Sequence, residues 1–237
     1  MRIATAIRLG LLAGVSATAI GPLRAQGFEN LGLHEVPGAG PRGNTLALLI
    51  SGDGGWAAID KDIARTLSDS GISVVGLNAK SYLGTRRTPD EFAATVDRIL
   101  RHYLEAWGRE RIILVGYSRG AVVAPFIVTR LPADLRARID LVAMLGLGLH
   151  AGFHVTLFDL LGTTTNPKDP PVEPEIRQLA DAKVPMLCIY GLDERESFCR
   201  DAPEGWMTKI ARRGAHHFDG NHAALVGDIL TQLKRPL

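Results

Sequence analysis

The run Gly116-Tyr117-Ser118-Arg119-Gly120 is the part of this sequence best equipped for chemistry. A serine hydroxyl is a poor nucleophile until it stands clear of its own backbone and a base takes its proton. An apolar strand pattern runs up to Gly116 and a helical one leaves from Gly120, the setting of a sharp turn that pushes a serine out over the end of a sheet. Chance would supply about 0.1 such Gly-X-Ser-X-Gly matches in a chain of this composition. The plainer alternative is a glycine-bounded turn whose serine caps a helix.

The base for such a serine lies late in the chain, after the last strand, with an acid between the two in sequence. Gly214-Ala215-His216-His217-Phe218 stands at that place. His217, immediately before Phe218, is favoured over His216, with His222 third. The acid that orients the imidazole falls beyond the preceding strand, in Gly191-Leu192-Asp193-Glu194. Asp193 is favoured by residue type, and Glu194 is the alternative by its place after the glycine.

Two backbone N–H groups must face the oxyanion of an acyl-transfer intermediate. Those of Arg119, after the serine, and of Asp53, in Ser51-Gly52-Asp53-Gly54-Gly55-Trp56, are the candidates. This glycine run lacks the Gly-Lys-Ser/Thr ending and the dinucleotide spacing of phosphate-binding loops. The Asp53 carboxylate and the Trp56 ring read as groups at the site mouth that could meet a cationic substrate, or else as a helix cap and a packing anchor. Tyr117, beside the nucleophile, is counted with Trp56 as substrate-binding. His150 and His154 lie four apart among glycines that oppose a helix, so neither a metal nor a cofactor is expected.

The elements that would position these groups alternate between apolar strand runs and stretches of helical period. That order predicts an α/β fold, a mostly parallel central sheet with helices on both faces. Strands are expected at 45–51, 72–77, 111–116, 139–147, 185–191 and 208–213. Ile59, Ile63 and Leu67 mark a helix ending near Gly71. A longer one starts at Pro89 and carries Phe92, Val96, Ile99, Leu100, Tyr103 and Trp107 on one face, a stripe read as core. Further helices are expected at 121–131 and 223–233, and 148–174 reads as a long irregular insertion.

With 237 residues, 46% apolar and 22% charged, the chain can bury a core and is no fibre, disordered tail or multi-pass membrane protein. Residues 9–20 form an apolar stretch too short for a bilayer, with Arg2 and Arg8 before it and Ala25 after it. This predicts a cleaved secretory signal at 1–25 and a single domain at 26–237. Removing Arg2, Arg8 and Arg24 with no acid turns a formal charge of +2 into −1, so no nucleic-acid partner is expected. In an oxidising compartment the two cysteines, Cys188 and Cys199, are expected to pair, bracketing the candidate acids.

Taken together, Ser-Gly-Asp-Gly-Gly-Trp at 51–56, Arg-Thr-Pro-Asp-Glu at 87–91, Gly-Tyr-Ser-Arg-Gly-Ala at 116–121, Cys-Ile-Tyr-Gly at 188–191 and His-His-Phe at 216–218 resemble the bacterial virulence proteins VirJ and AcvB. The likeness spans about 45 to 233, in the short, single-domain form of VirJ. It implies a periplasmic α/β-hydrolase. The AcvB branch is associated with hydrolysis of lysyl-phosphatidylglycerol, and VirJ with type IV secretion. Carried onto this chain, Ser118 would attack the aminoacyl ester, His217 would act as base and acid, and Asp193 would orient it. The partners implied are a lipid or other acyl-ester substrate, the periplasmic membrane face and secretion-system proteins. The other function class is a secretion accessory that uses the fold as a binding surface. Asn78-Ala79-Lys80-Ser81 departs from a more acidic and aromatic stretch, and Lys80 near the site would repel a cationic headgroup.

Overall fold

Leu46, Leu48 and Ile50 pack towards one face of a sheet while Ala47 and Leu49 pack towards the other, and all five are fully buried. A strand covered on both sides has no use for a polar face, which is why the sequence shows continuous apolar runs. In the computed structural model, which describes residues 27–38, 43–155 and 168–233, seven strands form one sheet. They are β1 (Leu33–Val36), β2 (Thr45–Ile50), β3 (Ser73–Leu77), β4 (Arg111–Tyr117), β5 (Ile139–Leu145), β6 (Met186–Gly191) and β7 (Thr208–Arg212). Their order is β1-β3-β2-β4-β5-β6-β7. The β1–β3 pairing is antiparallel and the others are parallel. The leader expected at 1–25 and part of the insertion, 156–167, lie outside the described residues.

Helices α1 (Ala58–Asp69) and α8 (His222–Gln232) cover one face. On the other lie α2 (Ala79–Tyr82), α3 (Pro89–Ala106), α4 (Arg119–Arg130), α6 (Glu173–Asp181) and α7 (Phe198–Asp201), while α5 (Ala133–Arg136) is a short turn before β5. Helix α3 begins where Thr88 Oγ1 accepts from the Glu91 N–H at 3.1 Å and the Glu91 carboxylate accepts from the Thr88 N–H at 2.7 Å, a reciprocal cap with Pro89 in the first turn. Its stripe from Phe92 to Tyr103 is buried in the core, as the spacing predicts.

Strand β1, helix α6 and the one-turn helices α2, α5 and α7 are absent from the expected set. Strand β1 is a partly exposed four-residue edge strand with no continuous apolar run. Helix α6 buries only Ile176 and Leu179, too sparse a stripe to stand out beside the prolines that precede it. Among the described residues, no helix is long and apolar enough to cross a membrane.

Parallel strands deliver their C-terminal loops to one edge of a sheet, the usual location of ligands in open α/β folds. The loops after β2, β4, β5, β6 and β7 therefore gather there. Cys188 of β6 is disulfide-bonded to Cys199 of α7, with Cα atoms 5.6 Å apart, so both ends of the loop carrying Asp193 and Glu194 are tied down. Replacing both cysteines by alanine should cost roughly 2–3 kcal/mol of stability on chain-entropy grounds, read as an earlier urea midpoint under non-reducing conditions. An unchanged midpoint would show that the bridge does not hold the fold.

Candidate active site

Ser118 sits between β4 and α4 with φ 53° and ψ −110°, a conformation that costs a non-glycine residue energy and persists only when its surroundings impose it. They do so through three backbone hydrogen bonds: Ser118 N–H to Leu145 O at 2.9 Å, Gly120 N–H to Ser51 O at 3.1 Å and Ala121 N–H to Ser118 O at 2.9 Å. The two motif glycines are required by proximity. A Cβ at Gly116 would lie 2.3 Å from the Gly120 carbonyl oxygen, and one at Gly120 would lie 2.0 Å from that of Ile50.

The loop after β7 brings two histidines to the serine, and they have different partners. His216 Nδ1 lies 2.6 Å from Glu194 Oε1. Glu194 is 9% exposed, and its other oxygen accepts from the Gly191 N–H at 3.2 Å. His217 Nδ1 instead meets the Tyr117 hydroxyl at 2.8 Å, and Asp193 faces solvent. The expected Asp193–His217 pair therefore does not form, and the carboxylate–imidazole pair joins the two alternatives, Glu194 and His216. Within the tight turn after β6, the third residue past Gly191 points inward and the second points out. His222 is bonded through Nδ1 to Asp62 Oδ2 at 2.9 Å, linking α8 to α1 and holding the Asp62 carboxyl below the usual range.

Beneath the His216–Glu194 pair lies Gly146, with φ 67°, where a Cβ would fall 2.6 Å from His216 Cε1 and 3.2 Å from Glu194 Oε1. Sequence reasoning left this glycine inside the end of a strand. Ser118 and His216 share two hollows: a recess of about 40 Å³ that also touches Gly146 and His150, and a cavity of about 440 Å³ bounded by Gly52–Gly55, the start of α1, Tyr117 and the histidines.

Asp53 and Arg119 are joined by their side chains. Arg119 Nε donates to Asp53 Oδ1 at 2.7 Å and Nη2 to Oδ2 at 3.1 Å, and both residues are buried. Arg119 Nη1 also donates to the Gly152 carbonyl at 3.2 Å. The Asp53 carboxylate is thus committed to Arg119 and does not wait at the mouth for a cation. Nor does Trp56, which stacks on His34 with ring centroids 4.6 Å apart and fills the space over Gly76, where a Cβ would lie 2.2 Å from its ring. It is a packing anchor. Tyr117 does line the larger cavity, its hydroxyl pushed well above the ordinary phenol range by burial and by the charges of Asp60 and Glu194. Lys80 is exposed on α2 and lines neither hollow.

One residue of the larger cavity escaped sequence reasoning. Asp60, in the first turn of α1, is fully buried. Its Oδ2 accepts from the Ala57 N–H at 3.0 Å, and its Oδ1 has no hydrogen-bond partner among the described residues. Burial pushes its carboxyl up to about 6. Among the described residues, no group of three or more His, Cys, Asp or Glu is arranged to hold a metal ion.

The profile of the family described as "Bacterial virulence protein (VirJ)" matches residues 44–237. No curated protein matches the chain significantly. Among solved structures, the thioesterase domain from the curacin biosynthetic pathway is 17% identical, covering 84% of this chain and 94% of that one, with a TM-score of 0.58. Est1E from Butyrivibrio proteoclasticus is 15% identical over 86% of this chain and 93% of that one, also at 0.58. MenH from S. aureus is 14% identical over 85% and 97%, again at 0.58. At such identities the likeness is one of fold, and the fold is that of the α/β-hydrolases.

The raised carboxyl of Asp60 predicts a pH signature. An acid that holds its proton to about 6 when folded and only to the ordinary aspartate value of 3.8 when unfolded removes stability as pH rises between those values. Asp60→Asn should therefore gain on wild type by roughly 2–3 kcal/mol on going from pH 4 to pH 8, measured by urea unfolding at both. Equal differences at the two pH values would show that Asp60 is not held protonated by burial.

Proposed function

The chain belongs to the bacterial virulence protein VirJ family, and from that premise we propose that it is a periplasmic serine hydrolase of acyl esters acting on aminoacylated phospholipid, lysyl-phosphatidylglycerol above all. The observation that carries this reading is the 2.6 Å contact of His216 Nδ1 with buried Glu194, in a cavity wall shared with Ser118 on its strained turn. The family resemblance supplies the lipid, and the site supports the ester chemistry.

With its Nδ1 proton donated to Glu194, neutral His216 has Nε2 left to accept the Ser118 hydroxyl proton as Oγ bonds to the ester carbonyl carbon. Glu194 fixes the ring and offsets the charge of the imidazolium. The backbone N–H groups of Asp53 and Arg119 are the donors for the tetrahedral oxyanion, and the ion pair between their side chains stiffens both loops against each other. Collapse breaks the ester C–O bond, and the imidazolium returns its proton to the departing alcohol. Water then repeats the sequence on the acyl-enzyme, releasing the free acid and restoring the serine. His217, held by Tyr117, has no part in the proton transfer.

Lysine release from lysyl-phosphatidylglycerol vesicles tests the reaction and the residues together. Ser118→Ala and His216→Ala should each lower it at least about 10³-fold, and Glu194→Gln at least about 10²-fold. His217→Ala and Asp193→Asn should stay within about tenfold of wild type. If the His217 and Asp193 variants were the inactive ones, the assignment would reverse. Fluorophosphonate labelling of Ser118 without lysine release would mean a different ester, and no labelling would favour a secretion accessory that binds without catalysis.

A further inference from the structure

The cavity of about 440 Å³ holds the candidate nucleophile and is unusual in its charge. Its wall includes Asp53, Asp60 and the three histidines His216, His217 and His222, and among the described residues no lysine or arginine lines it. Asp53 is neutralised by Arg119, which reaches it from outside this wall. Asp60 has no such partner. Its Oδ2 is used by the Ala57 N–H, its Oδ1 accepts nothing, and no solvent reaches the residue to offset its charge. What compensation it has comes from the backbone N–H groups in the first turn of α1 and, through space, from His222 across the same wall. Such a helix start would otherwise favour an anion, but Asp60 occupies it with a negative charge of its own.

A buried carboxylate beside an apolar hollow, itself out of contact with solvent, creates a negative potential there that water screens less than it would around a surface carboxylate. Resting on the reading of Ser118 as an ester-cleaving nucleophile, we propose that Asp60 is the specificity-determining residue of this cavity, its carboxylate selecting esters whose acyl group carries an ammonium. The ammonium need not touch Oδ1 for this selection, because the field acts across the cavity wall. It fills the role that the sequence suggested for Asp53, whose charge is already spent. Asparagine at position 60 can keep the bond to the Ala57 N–H through its side-chain oxygen, so Asp60→Asn removes the charge while preserving the cap.

The test compares two 4-nitrophenyl esters of the same shape, the 4-(trimethylammonio)butanoate and the 5,5-dimethylhexanoate, on wild type and Asp60→Asn. The quaternary ammonium is charged at every pH and cannot attack its own ester. Wild type should favour the cationic ester in kcat/KM by at least about tenfold, and Asp60→Asn should bring that ratio down by a similar factor. A second measurement needs no variant: choline should inhibit wild-type hydrolysis of the neutral ester at concentrations about tenfold below those of its neutral isostere, 3,3-dimethylbutan-1-ol. Esters cleaved with no charge preference, or a preference that survives Asp60→Asn, would overturn the role of Asp60 while leaving the hydrolase reading standing. If neither ester were cleaved and fluorophosphonate did not label Ser118, the hydrolase reading would fall and this inference with it.

Discussion

The site depends on how closely the backbone after β4 passes the end of β2. Gly120 lies where any Cβ would strike the Ile50 carbonyl, and Gly116 lies where one would strike Gly120 itself. This contact forces Ser118 into its left-handed conformation and starts α4 directly after it. It also fixes the spacing between the Asp53 and Arg119 loops, which the buried ion pair then holds. The fully buried apolar residues of β2 and β4 keep the two strands in register, so the core and the turn hold the same geometry.

Carboxylates of one chemical type take on separate duties here because their surroundings differ. Glu194 is buried but meets an imidazole and a backbone N–H, Asp53 meets a guanidinium, and Asp193 is hydrated. Asp60 meets backbone N–H groups and neither an imidazole nor a guanidinium at hydrogen-bond distance, and burial drives its carboxyl upward. Burial without a partner is what separates it from the rest.

Much of this was legible in the sequence. Strands β2 to β6 were visible because a strand buried on both faces must be apolar throughout, and the serine turn was visible because glycines are obligatory on both sides of it. Edge strand β1 and helix α6 were not, since each buries too little to leave a periodic mark. The choice between neighbours was beyond reach for a different reason. His216 and His217 differ only in which way a short loop turns them, and Asp193 and Glu194 only in which side of a tight turn they occupy. The pairing of Asp53 with Arg119 joins residues 66 positions apart, and the isolation of Asp60 is a matter of what is missing around it; neither leaves a local pattern.

Because each site group is carried by a different strand end, the order of the chain is also an order of assembly. The serine turn needs β2, β4 and β5, all complete by Leu145, whereas His216 arrives only when β7 has docked on β6 at the far edge of the sheet. A chain that emerges from its N-terminus can therefore form the nucleophile's cradle long before it possesses a base. Chemical competence is the last property this fold acquires, and it rests on the five-residue strand at the sheet's edge, the first place where fraying would switch it off.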